Sequence, residues 1–178
     1  MELYLIRHTT PEVGKGICYG QSDVPLAGSF EAEWAALRDG LPAGVRGVYT
    51  SPLSRCRRLA ERIAGHYAVP LREDDRLREL DFGRWEMQPW NDIPEPELSA
   101  WMNDYVHVPC PGGESYAQLI GRVASFVESL RGQAPGPTVV VTHAGVIRSG
   151  YAVLHGLAPE AAMGRKVAYG EIHVMGDI

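Results

Sequence analysis

Two histidines in this sequence each close an apolar run. Leu3-Tyr4-Leu5-Ile6 leads into Arg7 and His8, and Thr138-Val139-Val140-Val141-Thr142 leads into His143. Short apolar runs of this kind read as strands buried on both faces, and in open α/β sheets the carboxyl ends of such strands face the ligand crevice. Both imidazoles are therefore expected at one crevice. Neutral imidazole can attack phosphorus, and an arginine beside it offers a planar fork that bonds two phosphoryl oxygens and stays charged at any working pH. Arg55 is a second such cation by position. It lies in the first turn of a helix expected after Thr50-Ser51-Pro52, where free backbone N–H groups and the helix dipole favour an anion. Two arginines and a second imidazole would stabilise the equatorial oxygens, most of the task in phosphoryl transfer, without a metal. The missing part is a proton donor. Glu79 is the candidate, because a phosphate dianion nearby disfavours its charged form and keeps a proton for the leaving oxygen. Asp81 and Glu86 are close enough in sequence to compete for that role.

These groups need a scaffold, and the pattern of the chain supplies one. Residues 9–28 hold Pro11, Gly14, Gly16, Gly20, Pro25 and Gly28 and read as a loop over the first strand end. Phe30, Trp34 and Leu37 form an i, i+4, i+7 stripe, a helix with Ser29 as its N-cap, stopped by Gly40 and Pro42. A short strand over 45–49 leads to the helix of Arg55, whose apolar face is Cys56, Leu59, Ile63 and Tyr67. Leu71 opens a third extended piece, and 77–86 alternates carboxylates with apolar residues as strand or extended loop. One helix is expected over 97–106. Ser115-Tyr116-Ala117-Gln118 is a capping box opening a helix with Tyr116, Ile120, Val123, Val127 and Leu130 on its buried face. Pro135-Gly136-Pro137 breaks that helix before the β-branched run 138–142, expected to be the central strand. A turn at Ala144-Gly145 then leads to a helix over 146–154, and 167–175 is expected as a final antiparallel or edge strand.

With 178 residues, 45% of them apolar, the chain suits one α/β domain: a three-layer α/β/α sandwich with a mostly parallel central sheet. Residues 1–178 are read as that single domain, and 86–112 as an insertion covering the site. A net charge of -5 without long runs of either sign argues against nucleic acid or a membrane surface as partner. No apolar stretch reaches the roughly 20 residues of a membrane span, and nothing before the first strand resembles a leader, so a cytoplasmic protein is expected. Cys18, Cys56 and Cys110 have no metal-binding or disulfide spacing and are expected to be reduced. No cofactor or metal is implied. His66, His107, His155 and His173 match no motif position, and packing or surface roles are expected of them.

Taken together, the motifs resemble the histidine phosphatase, or phosphoglycerate mutase-like, superfamily nearly end to end. Leu5-Ile6-Arg7-His8-Thr9 is similar to its Arg-His-Gly signature, with threonine in the glycine position. Ser51-Pro52-Leu53-Ser54-Arg55-Cys56 resembles its Ser-x-Leu-x-Arg-Ala helix start, Thr142-His143-Ala144-Gly145 its second histidine turn, and the stretch 77–85 its acid-bearing segment. The resemblance implies a phosphoglycerate mutase-like fold and a phosphohistidine on His8. It also implies phosphoryl oxygens held by Arg7, Arg55 and His143, a leaving group protonated by Glu79, and hydrolysis of the intermediate by water. Thr9 raises the question of whether a β-branched residue narrows the pocket, and with it a non-enzymatic alternative, a silent phosphate-binding module.

Within the superfamily, the short length and the stretch Gly16-Ile17-Cys18-Tyr19-Gly20-Gln21-Ser22-Asp23-Val24-Pro25-Leu26 resemble the alpha-ribazole phosphatases. That resemblance implies removal of the 5'-phosphate of a benzimidazole riboside during cobalamin assembly, a small-molecule phosphomonoester as partner, and no statement on oligomeric state. The residues agree in one respect. Between Trp85 and Gly121 there is no lysine or arginine but there are six carboxylates, so a second anionic group on the substrate finds no extra cation there. Trp85, Trp90, Trp101 and Tyr105 offer aromatic surface instead, suited to a flat leaving group, although some are expected to be core. The alternatives are a phosphoglycerate mutase and a phosphatase of broad specificity.

Overall fold

The computed structural model describes residues 1–133 and 136–178. Five strands form one sheet in the order β3-β2-β4-β1-β5, from β1 (Glu2–Arg7), β2 (Gly47–Thr50), β3 (Leu71–Glu73), β4 (Thr138–Thr142) and β5 (Ile172–Asp177). All neighbours run parallel except β5, which pairs antiparallel with β1 at the sheet edge. The β-branched run is the central strand, with every residue of β4 buried.

Alternation along the strands fills two cores. Ile6, Val48, Val139 and Val141 face α1 (Phe30–Arg38) and α2 (Ser54–Tyr67), meeting Phe30, Leu37, Cys56, Leu59 and Ile63. Leu3, Leu5, Tyr49 and Val140 face the other way, toward α4 (Tyr116–Leu130) and α5 (Ala144–His155). The result is the three-layer α/β/α sandwich. Each buried valine, leucine or isoleucine contributes about 1.5–3 kcal/mol relative to exposure. Two further helices are α3 (Glu95–Asn103) and α6 (Pro159–Met163).

Several elements differ from the sequence reading, each for a physical reason. Ser29 sits at the start of α1 but in helical conformation, and its hydroxyl donates to the Glu33 carboxylate instead of capping a backbone N–H. Of the two expectations for 77–86, strand or extended loop, the structure has the loop. It is irregular chain between two 3-10 turns, Asp75–Leu77 and Gly83–Trp85, because its backbone groups bond to side chains and to other loops. Helix α3 begins and ends earlier than 97–106. On α4 the capping box is present, but Leu119 and Phe126 are buried while Ile120 is only half-buried. Ala144 and Gly145 are not a turn. They already form the first turn of α5, whose N-cap is His143. Strand β5 starts only at Ile172, leaving 167–171 as a loop over the end of β1. The expected break at Pro135 lies outside the described residues. All three cysteines are free and buried. No helix among the described residues is long and apolar enough to cross a membrane.

Candidate active site

Strand register brings the two histidines together. Arg7 pairs with Thr142, and Thr50 with Val141, so β1, β2 and β4 end side by side and deliver His8, Ser51 and His143 to one edge. The His8 N–H donates to the Thr142 carbonyl at 3.0 Å and the Ser51 N–H to the Val141 carbonyl at 3.0 Å, extending the ladder one residue past each strand. The rings of His8 and His143 stand 5.2 Å apart, edge to face. They floor a cavity of about 350 Å³ whose wall includes Arg7, Arg55, Glu79, Arg148, Tyr19 and Tyr169.

His8 has a defined tautomer. Its Nδ1 lies 2.7 Å from the Thr9 carbonyl, which can only accept, so Nδ1 carries the proton and the lone pair is on Nε2. Burial, the Arg55 guanidinium and, more weakly, Arg7 push its pKa down to about 3, against the Thr9 hydrogen bond. His8 is therefore neutral at ordinary pH. His143 is fully buried, and burial with Arg55, His8 and Arg7 nearby pushes it well below the usual histidine range. Its Nε2 is held by the Ser51 hydroxyl at 2.9 Å, with Cys56 Sγ at 3.3 Å.

The arginines are held by carbonyls, not carboxylates. Arg55 is 0% exposed and donates from Nη1 to the Ser22 carbonyl at 2.7 Å and from Nη2 to the Gly20 carbonyl at 2.5 Å. Arg7 donates from Nη1 to the Val167 carbonyl at 2.7 Å, and the Tyr169 ring lies 3.8 Å from its guanidinium carbon. In both, Nε is buried with no partner. Buried guanidinium groups with free N–H donors and no counter-charge are costly unless an anion completes them. Tyr169 also shares a 2.8 Å hydrogen bond with the Tyr19 hydroxyl, tying the loop before β5 to the loop after β1.

Of the three candidate acids, only Glu79 lines the cavity. Its Oε1 accepts from the Leu80 N–H at 2.9 Å and its Oε2 from the Gly145 N–H, at the start of α5, at 3.1 Å. Gly145 has no Cβ because one would strike this carboxylate. The backbone around Glu79 is fixed by Arg122, which donates to the carbonyls of Arg76, Arg78 and Glu79 at 2.6–2.9 Å while pairing with Glu114 at 2.8 Å. Glu86 is a clamp. It accepts from the N–H groups of Gly20, Gln21, Ser22 and Phe82 and from the Ser22 hydroxyl, at 2.6–3.1 Å. Burial raises its pKa, but these donors outweigh burial and leave it below the usual carboxylate range. Asp81 accepts from the Gly83 N–H at 2.8 Å and stays outside the cavity.

Thr9 is fully buried and is no part of the cavity wall, so its side chain does not narrow it. His66, His107, His155 and His173 also lie outside. They contact Trp34 and Tyr67, Asp104, Tyr151, and Tyr151 again, respectively. Arg148, Arg122, Tyr19 and Tyr169 escaped the sequence reading. A helical spacing of three from Gly145 could have flagged Arg148; no local signal marks the others.

A second, largely apolar cavity of about 190 Å³ adjoins the first and shares Glu79, Phe82, Trp90 and Arg148 with it; Leu80, Trp101, Leu119, Gly145 and Met163 complete its wall. Trp85, by contrast, is core. Among the described residues, no group of three or more His, Cys, Asp or Glu side chains is arranged to hold a metal ion.

The chain is similar to several known proteins. It is 31% identical over 164 residues, 89% of this chain and 80% of the relative, to a protein provisionally named phosphoserine phosphatase 2 in Hydrogenobacter thermophilus. It is 31% identical over 168 residues, 90% of this chain and 82% of the relative, to the adenosylcobalamin/alpha-ribazole phosphatase of Escherichia coli. A protein provisionally named phosphoglycerate mutase in Salmonella paratyphi B is 34% identical over 155 residues, 80% of this chain and 69% of the relative. The crystal structure of the alpha-ribazole phosphatase from Shigella flexneri superposes with a TM-score of 0.88 at 28% identity, covering 97% of this chain and 88% of that one. The fold is thus the phosphoglycerate mutase-like one. The model of the histidine phosphatase superfamily, branch 1, matches residues 3–176, and the chain belongs to that superfamily as a phosphatase acting on small phosphate substrates.

Proposed function

We propose that this phosphatase hydrolyses alpha-ribazole 5'-phosphate, or a close riboside 5'-phosphate, through a phosphohistidine on His8. In this reading Nε2 of neutral His8 attacks phosphorus in line with the leaving oxygen. Arg7, Arg55 and His143 hold the three equatorial oxygens, the free Nε donors of both arginines turning to them, and Glu79 gives its proton to the departing 5'-oxygen. The resulting Glu79 carboxylate then takes a proton from water as that water attacks the phosphohistidine, releasing inorganic phosphate and restoring His8 and Glu79. No step requires a metal. The whole chain acts as one domain, with 86–112 as the cover over the leaving group.

The observation that carries the substrate assignment is the apolar cavity beyond Glu79, walled by Phe82, Trp90, Trp101, Leu119 and Met163. At 190 Å³ it is smaller than the roughly 300 Å³ at which whole-ligand sites begin, and it suits one fused ring. The similarity to two proteins named as alpha-ribazole phosphatases agrees with this choice.

Arg148 favours a second reading. It is a cation on the wall of both cavities, where the sequence reading expected none, and it would suit a leaving group bearing a carboxylate, as in phosphoserine or 3-phosphoglycerate. Its Nε is committed to the Arg165 carbonyl at 3.0 Å. The deciding experiment is kcat/KM for alpha-ribazole 5'-phosphate, phosphoserine and 3-phosphoglycerate on one preparation. A preference for the riboside of about a hundredfold is expected, since burial of a fused ring contributes several kcal/mol. Equal or better turnover of either acid would replace this reading with the second.

A further inference from the structure

Four residues line both cavities: Glu79, Phe82, Trp90 and Arg148. They mark the passage from the phosphate site to the apolar space beyond it. With Glu79 as proton donor, the departing oxygen sits at this passage, and the atoms that follow it in the leaving group run through it. Recognition of the leaving group begins here, before the flat ring is reached.

Arg148 comes to the passage from α5, three residues after Gly145 and on the same face of the helix. Its guanidinium is anchored at one end and free at the other. Nε donates to the Arg165 carbonyl at 3.0 Å. Nη1 meets the Met163 thioether, a weak acceptor, at 4.0 Å, and Nη2 has no hydrogen-bond partner among the described residues. Glu79, the acid of both walls, does not take up the free end, because its oxygens accept from the Leu80 and Gly145 N–H groups. The Arg148 side chain is only half-buried, so its free end is within reach of an occupant.

A guanidinium with both tips unclaimed can bond two neighbouring oxygens at once. The leaving group matched to this passage therefore carries such a pair of oxygens and continues past it into the apolar space. Phosphoserine and 3-phosphoglycerate bring a carboxylate but end there, leaving the wall of Trp101, Leu119 and Met163 without contact. A ribose brings hydroxyls on adjacent carbons and carries its ring system onward.

We propose that Arg148 is a specificity-determining residue, whose free Nη groups donate to the 2'- and 3'-hydroxyls of the leaving riboside in the passage between the two cavities. The inference rests on the riboside reading above and deepens it. The apolar cavity selects the flat ring, and Arg148 selects the sugar that joins the ring to the phosphate. A site built to bond hydroxyls discriminates against an analogue that lacks them, because the donors are then left unpaired.

The test pairs a change in the substrate with a change in the protein. The probes are alpha-ribazole 5'-phosphate and its 2',3'-dideoxy counterpart. The unmodified enzyme should prefer the diol by at least about tenfold in kcat/KM, the worth of a hydrogen bond from a charged donor. In Arg148→Met the ratio should fall to near one, whatever the absolute rates of the variant. Equal turnover of the two probes by the unmodified enzyme would overturn the inference while leaving the riboside reading intact, and that comparison does not depend on the variant folding. A preference that survives in Arg148→Met would overturn it as well, by assigning the diol to another donor, the Trp90 indole N–H included. Failure to turn over either riboside, with phosphoserine or 3-phosphoglycerate hydrolysed, would instead reject the riboside reading and leave Arg148 to a carboxylate.

Discussion

The Gly145 N–H donates to Glu79 Oε2 at 3.1 Å, and the same glycine leaves the space that the Glu79 carboxylate fills. The proposed acid is thereby aimed by the first turn of the helix that follows the second histidine. Two independent motifs of the sequence meet in one contact.

This contact separates positioning from chemistry. Glu79→Gln keeps the shape but removes the proton, and kcat on an alkyl phosphate should fall by about 10²–10⁴ while p-nitrophenyl phosphate, whose leaving group needs little protonation, loses far less. Gly145→Ala should show the same pattern in weaker form, because the new methyl group displaces the acid. Equal losses on both substrates in Glu79→Gln would assign proton donation to another group.

His8→Ala removes the nitrogen proposed to attack phosphorus and should reduce turnover to a trace. Brief exposure of the unmodified enzyme to substrate, followed by quenching in base, should leave acid-labile phosphate on His8. EDTA treatment should change neither result, and restoration of lost activity by a divalent metal would contradict the metal-free route.

Glu86 and Arg55 grip the loop at residues 20–22 from opposite sides, one through its N–H groups and the other through its carbonyls. Glu86→Gln replaces a four-lone-pair acceptor by an amide that cannot satisfy all those donors. A stability loss of about 1–3 kcal/mol is expected in denaturant unfolding, from the N–H groups left unpaired. Since Arg55 is seated on that loop, KM should also rise, and rescue by Glu86→Asp should be partial at best.

The histidines also predict how the fold responds to acid. The folded pKa of His8 is about 3, below the roughly 6.5 of an unfolded histidine, and His143 is shifted in the same direction. Between those values the unfolded chain binds the proton and the folded one does not. Stability therefore falls as pH drops from about 6.5 toward 3, by about 1.4 kcal/mol per pH unit for His8, and His143 acts in the same direction. Thermal unfolding of the unmodified protein and of His8→Asn, at pH values from 7 to 4, checks this. The variant should lose less stability over that range.

What the sequence made legible followed from short-range rules. Apolar runs ending in Arg7-His8 and in His143 gave the strand ends, because strand burial and crevice position are local consequences of the pattern. Arg55 was visible from helix position, and Glu79 from its place in a motif. The residues that escaped act across the fold. Glu86 looked like a rival acid because sequence distance could not reveal that Gly20, Gln21 and Ser22 had claimed its oxygens. Arg122 reaches Glu79 from α4, and Tyr169 reaches Arg7 from a stretch expected to be strand. Such contacts depend on which loops the topology brings together, and no periodicity encodes that.

The pairing of β1 carries a consequence for how the enzyme comes into being. Leu3 lies opposite Thr138 and Glu2 opposite Asp177, so both neighbours of this strand are synthesised long after it. Contacts of such sequence separation are paid for late in loop-closure entropy and make folding slow. Until β4 and β5 have docked, Arg7 and His8 have neither His143 beside them nor Val167 and Tyr169 above them. The site is thus complete only once both pairings of β1 are made and the sheet is closed.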